Sequence, residues 1–90
     1  MDKELKAKWI KALRSGKYQQ TQYYLKRDDA YCCLGILHKV ATGKDAPALW
    51  DHDKPACVIE LGDEIERALA GVNDDGVPFE VIAGLIDEAL

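Results

Sequence analysis

Tyr31-Cys32-Cys33-Leu34-Gly35-Ile36-Leu37 is the stretch on which the reading of this chain turns. It carries no formal charge, and seven residues are far short of the roughly 20 apolar residues that cross a bilayer, so it is read as core. Before it stands Asp28-Asp29, a turn signal, because short carboxylates bond their own backbone and tolerate unusual dihedrals. Tyr23-Tyr24-Leu25 and Tyr31-Cys32 are then expected as the arms of a short hairpin, with aromatics suited to a half-buried pleat. Past Cys33 the period changes. Leu34, Leu37, Val40 and Ala41 recur at helical spacing, and Gly43 supplies a stop after Lys39. A strand is expected to run directly into a buried helix.

Outward from this stretch, Asp2 predicts a capped helix over 3–14 with Leu5, Trp9, Ala12 and Leu13 on one face, ended by Ser15-Gly16. Residues 17–22 are polar and too short for a linker. The loop over 44–54 holds Trp50, expected to cover the core edge, and 55–61 reads either as a helical turn begun by Pro55 or as an edge strand, the turn being favoured. From Asp63 a third helix is expected, with Asp63, Glu64 and Glu66 at its positive end and Ile65, Ala68 and Leu69 as its face, stopping near 71–73. Asp74-Asp75-Gly76 forms a turn. Pro78 opens a last helix with Phe79, Ile82, Leu85, Ile86 and Leu90 inward. The expected architecture is one small α+β domain over residues 1–90: helix, short β-hairpin, buried helix, irregular loop and C-terminal helical hairpin, with four helices and two strands.

Ninety residues with 48% hydrophobic and 31% charged content form an ordinary globular composition. A charged N-terminus without an apolar stretch is unlike a signal peptide and is read as cytosolic. The net charge of −4 conceals a division. Residues 1–44 carry ten Lys and Arg against four Asp and Glu, and residues 45–90 carry two against twelve, a balance of +6 and −10. Such a division suits a basic face for phosphates, an acidic face for a basic partner, or simply two solvated helix faces.

The chemistries that Cys, His and Asp suggest are mostly excluded by spacing. Zinc sites use ligand pairs two to four residues apart, whereas Cys32 and Cys33 are adjacent, His38 lies more than a helical turn onward, and Cys57 and His52 are isolated. Asn73-Asp74-Asp75-Gly76 fails as a calcium loop, since Gly76 in the sixth position puts Ile82 where a carboxylate is required. Cys33 with His38 is a weak nucleophile candidate beside the simpler reading of packing, and Asp51-His52-Asp53 reads as a solvated loop. Three cysteines do not make a disulfide framework, and all are expected to be reduced. No phosphate loop, metalloprotease helix or dinucleotide fingerprint occurs. The chain is read as non-enzymatic, with no cofactor and no metal. One polar cluster remains: Arg14, Lys17, Tyr18, Gln20, Lys26 and Arg27, joined by Gln19 and Gln22. It combines basic, aromatic and amide groups that grip phosphates and stack on rings, and its plainer reading is a solvated helix-to-hairpin junction.

Three motifs taken in order, Trp9-x-x-Ala12-Leu13-Arg14-Ser15-Gly16-x-Tyr18-x-Gln20, Tyr31-Cys32-Cys33-Leu34-Gly35-Ile36-Leu37 and Asn73-Asp74-Asp75-Gly76 with Phe79, Ile82 and Ala83, resemble a family of small uncharacterised proteins common in bacteriophages and prophages. Pro55, Val58 and Gly62 resemble its middle segment. Where that family carries glycines after the glutamine this chain has Thr21 and Tyr23, and Lys26, His38 and Pro78 replace an arginine, a cysteine and a capping serine. The resemblance implies a phage origin, a place in the host cytoplasm and a small accessory role by binding. Three partners are therefore expected in descending order: a host protein, of the defence class, that the chain inhibits; a nucleotide-like anionic small molecule held by a homo-oligomer; and nucleic acid, disfavoured by the acidic C-terminal half. No membrane association is expected.

Overall fold

A computed structural model describes residues 2–44 and 63–90. The expectations for Trp50, for Asp51, His52 and Asp53, for Cys57 and for residues 55–61 lie outside the described residues. Four helices and a three-stranded mixed sheet form a small α+β fold: α1 (Lys3–Arg14), β1 (Gln19–Gln20), β2 (Lys26–Arg27), β3 (Ala30–Tyr31), α2 (Cys33–Thr42), α3 (Asp63–Asp74) and α4 (Phe79–Ala89).

Helix α1 has the expected limits because both its ends are chemically marked. The Asp2 carboxylate accepts the Leu5 N–H at 2.9 Å, and Gly16 beyond the other end takes φ 72°. Its inward face is Trp9 and Leu13, fully or nearly enclosed, with Leu5 and Ala12 partly buried beside them. That face packs most extensively on α4 and next on α2. The Trp9 indole N–H donates to the Cys33 carbonyl at 2.9 Å, so the largest side chain in the core brings a polar tip that is satisfied where it lands.

Helix α2 begins where the period change placed it. Cys33, Leu34, Gly35, Ile36 and Leu37 are all buried, the signature of a helix whose first half is enclosed on every side, while residues 38–42 are partly exposed. The Cys32 thiol caps it by accepting the Gly35 N–H at 3.3 Å, and Gly43 in a left-handed conformation closes it through a 2.8 Å bond to the Lys39 carbonyl. Gly35 meets the chain at a point that admits no side chain: a Cβ there would lie 1.9 Å from the Leu25 carbonyl oxygen.

The sheet departs from expectation in two ways. Its hairpin is tighter: Lys26 and Arg27 pair antiparallel with Tyr31 and Ala30, leaving Asp28-Asp29 as a two-residue loop with Asp28 at φ 54°. Tyr23 and Tyr24 are not strand, because Tyr23 sits at φ 70°, a geometry that interrupts any extended backbone. The second departure is an added strand. Gln19-Gln20, read as connecting chain, runs parallel to β3 on the other side, giving the order β1-β3-β2. Bonds from Thr21 N–H to the Tyr31 carbonyl and from Cys32 N–H to the Leu25 carbonyl, at 2.9 and 3.1 Å, extend the two ladders.

Helix α3 runs to Asp74, past the expected stop, and its inward residues are Glu66, Leu69 and Asn73. Asn73 is wholly enclosed and explains the extension. Its Oδ1 accepts from Gln20 Nε2 at 3.1 Å and from the Cys33 N–H at 3.2 Å, while its Nδ2 donates to the Thr21 carbonyl at 2.8 Å. One amide thus joins α3, β1 and the start of α2. Pro78 precedes α4, which buries Phe79, Ile82, Ala83 and Ile86. Leu85, expected inward, is 43% exposed, and so is Ile65 at 37%. The two line an apolar groove of about 280 Å³ between α3 and α4, together with Ala68, Val72 and Ala89. No described helix is long and apolar enough to cross a membrane.

Candidate functional site

The sheet sorts the basic and aromatic residues by face. In both ladders Gln20, Tyr31 and Lys26 stand abreast, so their side chains project the same way, and Tyr18, two residues before Gln20, shares that direction. Gln19, Ala30 and Arg27 form the alternate row. On the first face the Tyr18 and Tyr31 rings meet edge to face, with centroids 5.3 Å apart at 86°. A lysine rides each ring: Lys17 Nζ is 6.0 Å from the centre of Tyr18 and Lys26 Nζ 5.8 Å from that of Tyr31. Lys26 Nζ also donates to the Asp28 carbonyl, which holds it over the ring. The result is a lysine–tyrosine–tyrosine–lysine array on the half-buried face of the sheet, its two rings packed against the core and Lys17 exposed at its end.

Of the six residues singled out from sequence, the structure gathers Lys17, Tyr18 and Lys26 into this array. Gln20 adjoins it but turns inward, donating both amide hydrogens within the fold, to Asn73 Oδ1 and to the Val77 carbonyl at 2.7 Å. Its side chain positions β1. Arg27 belongs to the other row and lies over Tyr24 instead, 5.2 Å from the ring centre. Arg14 stands exposed at the end of α1 and takes no part in these ring contacts. Tyr31 was read as core and is only half-buried; its place in an alternating strand next to Lys26 was the signal that it shares the array.

The cysteines are enclosed and chemically quiet. Cys32 and Cys33 are free thiols. Burial pushes Cys32 up to about 11, against a lowering contribution from the Gly35 N–H, and burial followed by the neighbouring Cys32 raises Cys33 well above its ordinary value. Both stay protonated at neutral pH, and the Cys33 thiol donates to the Leu69 carbonyl at 3.6 Å. A protonated, buried thiol is neither a nucleophile nor a ready metal ligand. His38, five residues on, is rotated about 140° around the helix from Cys33 and cannot serve it as a base. Among the described residues no three His, Cys, Asp or Glu side chains converge on a metal position.

With the geometry set out, the comparison with known sequences adds one assignment. The sequence model of a family described as a domain of unknown function (DUF8296) matches residues 1–59. The chain belongs to that family. The match takes in α1, the whole sheet and α2, and therefore every residue of the lysine–tyrosine array. No curated protein and no solved structure is significantly similar to this chain.

Proposed function

We propose that this chain is a small phage-encoded binding protein, without catalytic activity, that engages a host protein and inhibits it, a defence protein being the class that its resemblance to phage proteins suggests. The observation that carries the reading is the array of Lys17, Tyr18, Tyr31 and Lys26. Two interlocked aromatic rings lose little conformational freedom on contact, and an ammonium group stands over each ring. Tyrosine is enriched where binding energy concentrates, and flanking charge speeds encounter and selects partners of opposite sign. The partner is expected to present an acidic surface. The test is capture from host lysate with the wild-type chain and with Lys17→Glu/Lys26→Glu. Recovery of one protein by the wild type and its loss with the double variant supports the reading; a tightly bound small molecule with no protein partner overturns it.

A second reading has the same array as its support. Rings flanked by ammonium groups also suit a nucleotide-like anion, base against tyrosine and phosphate against lysine, with a homo-oligomer supplying the concavity that one small chain lacks. Calorimetry with cyclic and linear nucleotides discriminates. An affinity unchanged by Lys17→Ala and by Lys26→Ala rejects this site.

A further inference from the structure

We propose that the hollow beneath residues 22–25 is a socket for a lysine side chain of a protein partner. The hollow lies apart from the lysine–tyrosine array, and the proposal rests on the reading that the partner is a protein. Its floor is apolar, formed by Leu25, Leu34 and Ala70 with the Cys32 thiol; Tyr23 and Tyr24 form its walls, and Asp74 stands at its edge. This is the composition that takes an alkyl stem ending in a cation: hydrocarbon for the methylenes, the Tyr23 ring and a carboxylate for the charge, the Arg27 guanidinium already lying over Tyr24.

Three observations converge on Asp74 and Tyr23. First, the Asp74 carboxylate is half-buried, and its recorded bond is one, Oδ1 accepting the Tyr23 N–H at 2.8 Å; no basic side chain among the described residues pairs with it. A carboxylate has about four acceptor sites, so most of its capacity is left for a further donor. Second, that single bond pins Tyr23 at φ 70°, a left-handed geometry costing a non-glycine residue roughly 1 kcal/mol. Third, Tyr23 is 76% exposed, the most exposed large hydrophobic side chain described, so burial of its ring does not offset that strain. Strain of this sort collects at binding positions, and here it holds a phenol ring upright beside a carboxylate.

The size of the hollow selects among cations. Its volume is about 40 Å³. One water needs about 10–15 Å³ on this measure, so the space takes some three atoms of that size: an ammonium and its last two methylenes. The planar guanidinium of arginine is wider than that and has to be held in one plane.

The test uses the full chain labelled with ¹⁵N and titrated with Nα-acetyl-lysine N-methylamide, with the norleucine and arginine analogues as comparisons. Saturable shifts confined to the amides around Tyr23, Leu34, Ala70 and Asp74 are expected for lysine, weaker for arginine and absent for norleucine. Asp74→Asn keeps an oxygen for the Tyr23 N–H and removes the charge, so at least about tenfold weaker lysine binding is expected with an otherwise unchanged spectrum. Tyr23→Gly keeps the backbone geometry and removes one wall, and is expected to weaken binding while raising the denaturation midpoint. Equal binding of norleucine, an unchanged affinity in Asp74→Asn or in Tyr23→Gly, or shifts located elsewhere overturns the socket. Because the analogue reads the socket with no partner present, its outcome and that of lysate capture are separate results.

Discussion

Asn73 is the residue whose loss the fold should feel most. Truncation to Ala strands three groups at once: the Cys33 N–H, the Thr21 carbonyl and one hydrogen of the Gln20 amide. Each buried polar group left without a partner costs about 1–3 kcal/mol, so Asn73→Ala should lose about 3 kcal/mol or more in urea denaturation, whereas an exposed neighbour such as Asp75→Ala should change little. A loss below about 1 kcal/mol would mean that water replaces the amide. The sequence showed Asn73 only as the first letter of a turn motif, because an asparagine at a helix end has the same spacing whether it faces solvent or binds two backbone groups and a side chain. The thiols were more legible, since adjacent cysteines in an apolar run have few roles besides packing. Their burial has a pH signature. The ordinary thiol value is 9.0 and Cys32 is pushed up to about 11, so between these limits the folded chain retains a proton that the unfolded chain releases. Stability should therefore be flat below about pH 8 and fall between about pH 9 and 11 by roughly 1 kcal/mol per pH unit through Cys32, with Cys33 acting in the same direction, a slope absent from Cys32→Ala/Cys33→Ala. That double variant should be less stable at neutral pH through lost packing, yet retain binding while folded.

At the scale of elements, the helices and the hairpin about Asp28-Asp29 were readable, and the added third strand was not. The limits of α1 and the start of α2 follow from caps, a period change and a glycine stop, all local signals. β1 has only Gln19 and Gln20, with no alternation of apolar and polar residues to betray it, and it is held by Gln20 reaching across to Asn73 and Val77. The hairpin's turn at Asp28-Asp29 and its second arm through Tyr31 lie where they were expected, but its first arm is Lys26-Arg27 rather than residues 23–25, for a comparable reason. Tyr23 has a strand-forming side chain, but its backbone is set by Asp74, some fifty residues away in sequence. The positive φ at this position is one that glycine adopts without strain and tyrosine does not. The junction of sheet and helix yields a sharper expectation. A methyl at position 35 would overlap the Leu25 carbonyl, and both sides of that contact are backbone, so neither yields cheaply. Gly35→Ala should cost more than the roughly 1–3 kcal/mol usual for overpacking, by thermal denaturation, despite alanine's better helix propensity. A variant as stable as the wild type would show that α2 can retreat from the sheet.

For the molecule as a whole, the division of charge was plain in the sequence, but how the basic residues are shared between the two faces of the sheet was not, since that depends on register and on an unforeseen strand. The lysine–tyrosine array and the Asp74 hollow both border the sheet, so one partner surface with carboxylates and a projecting lysine could meet both. Binding through the array should weaken as salt rises, whereas the aromatic share should persist; an affinity indifferent to salt would count against the lysines. A different consequence follows from where the core contacts lie along the chain. The family match ends at residue 59, yet Trp9 and Leu13 pack on α4, and the amide that secures β1 belongs to α3. A fragment ending there should lack cooperative unfolding and show uniformly fast amide exchange, while the full chain should protect α1 and α4 together. During synthesis the first helix leaves the ribosome long before its principal neighbour exists, and it must wait, amphipathic and uncovered, until α4 has emerged. For this chain, birth order and assembly order run in opposite directions.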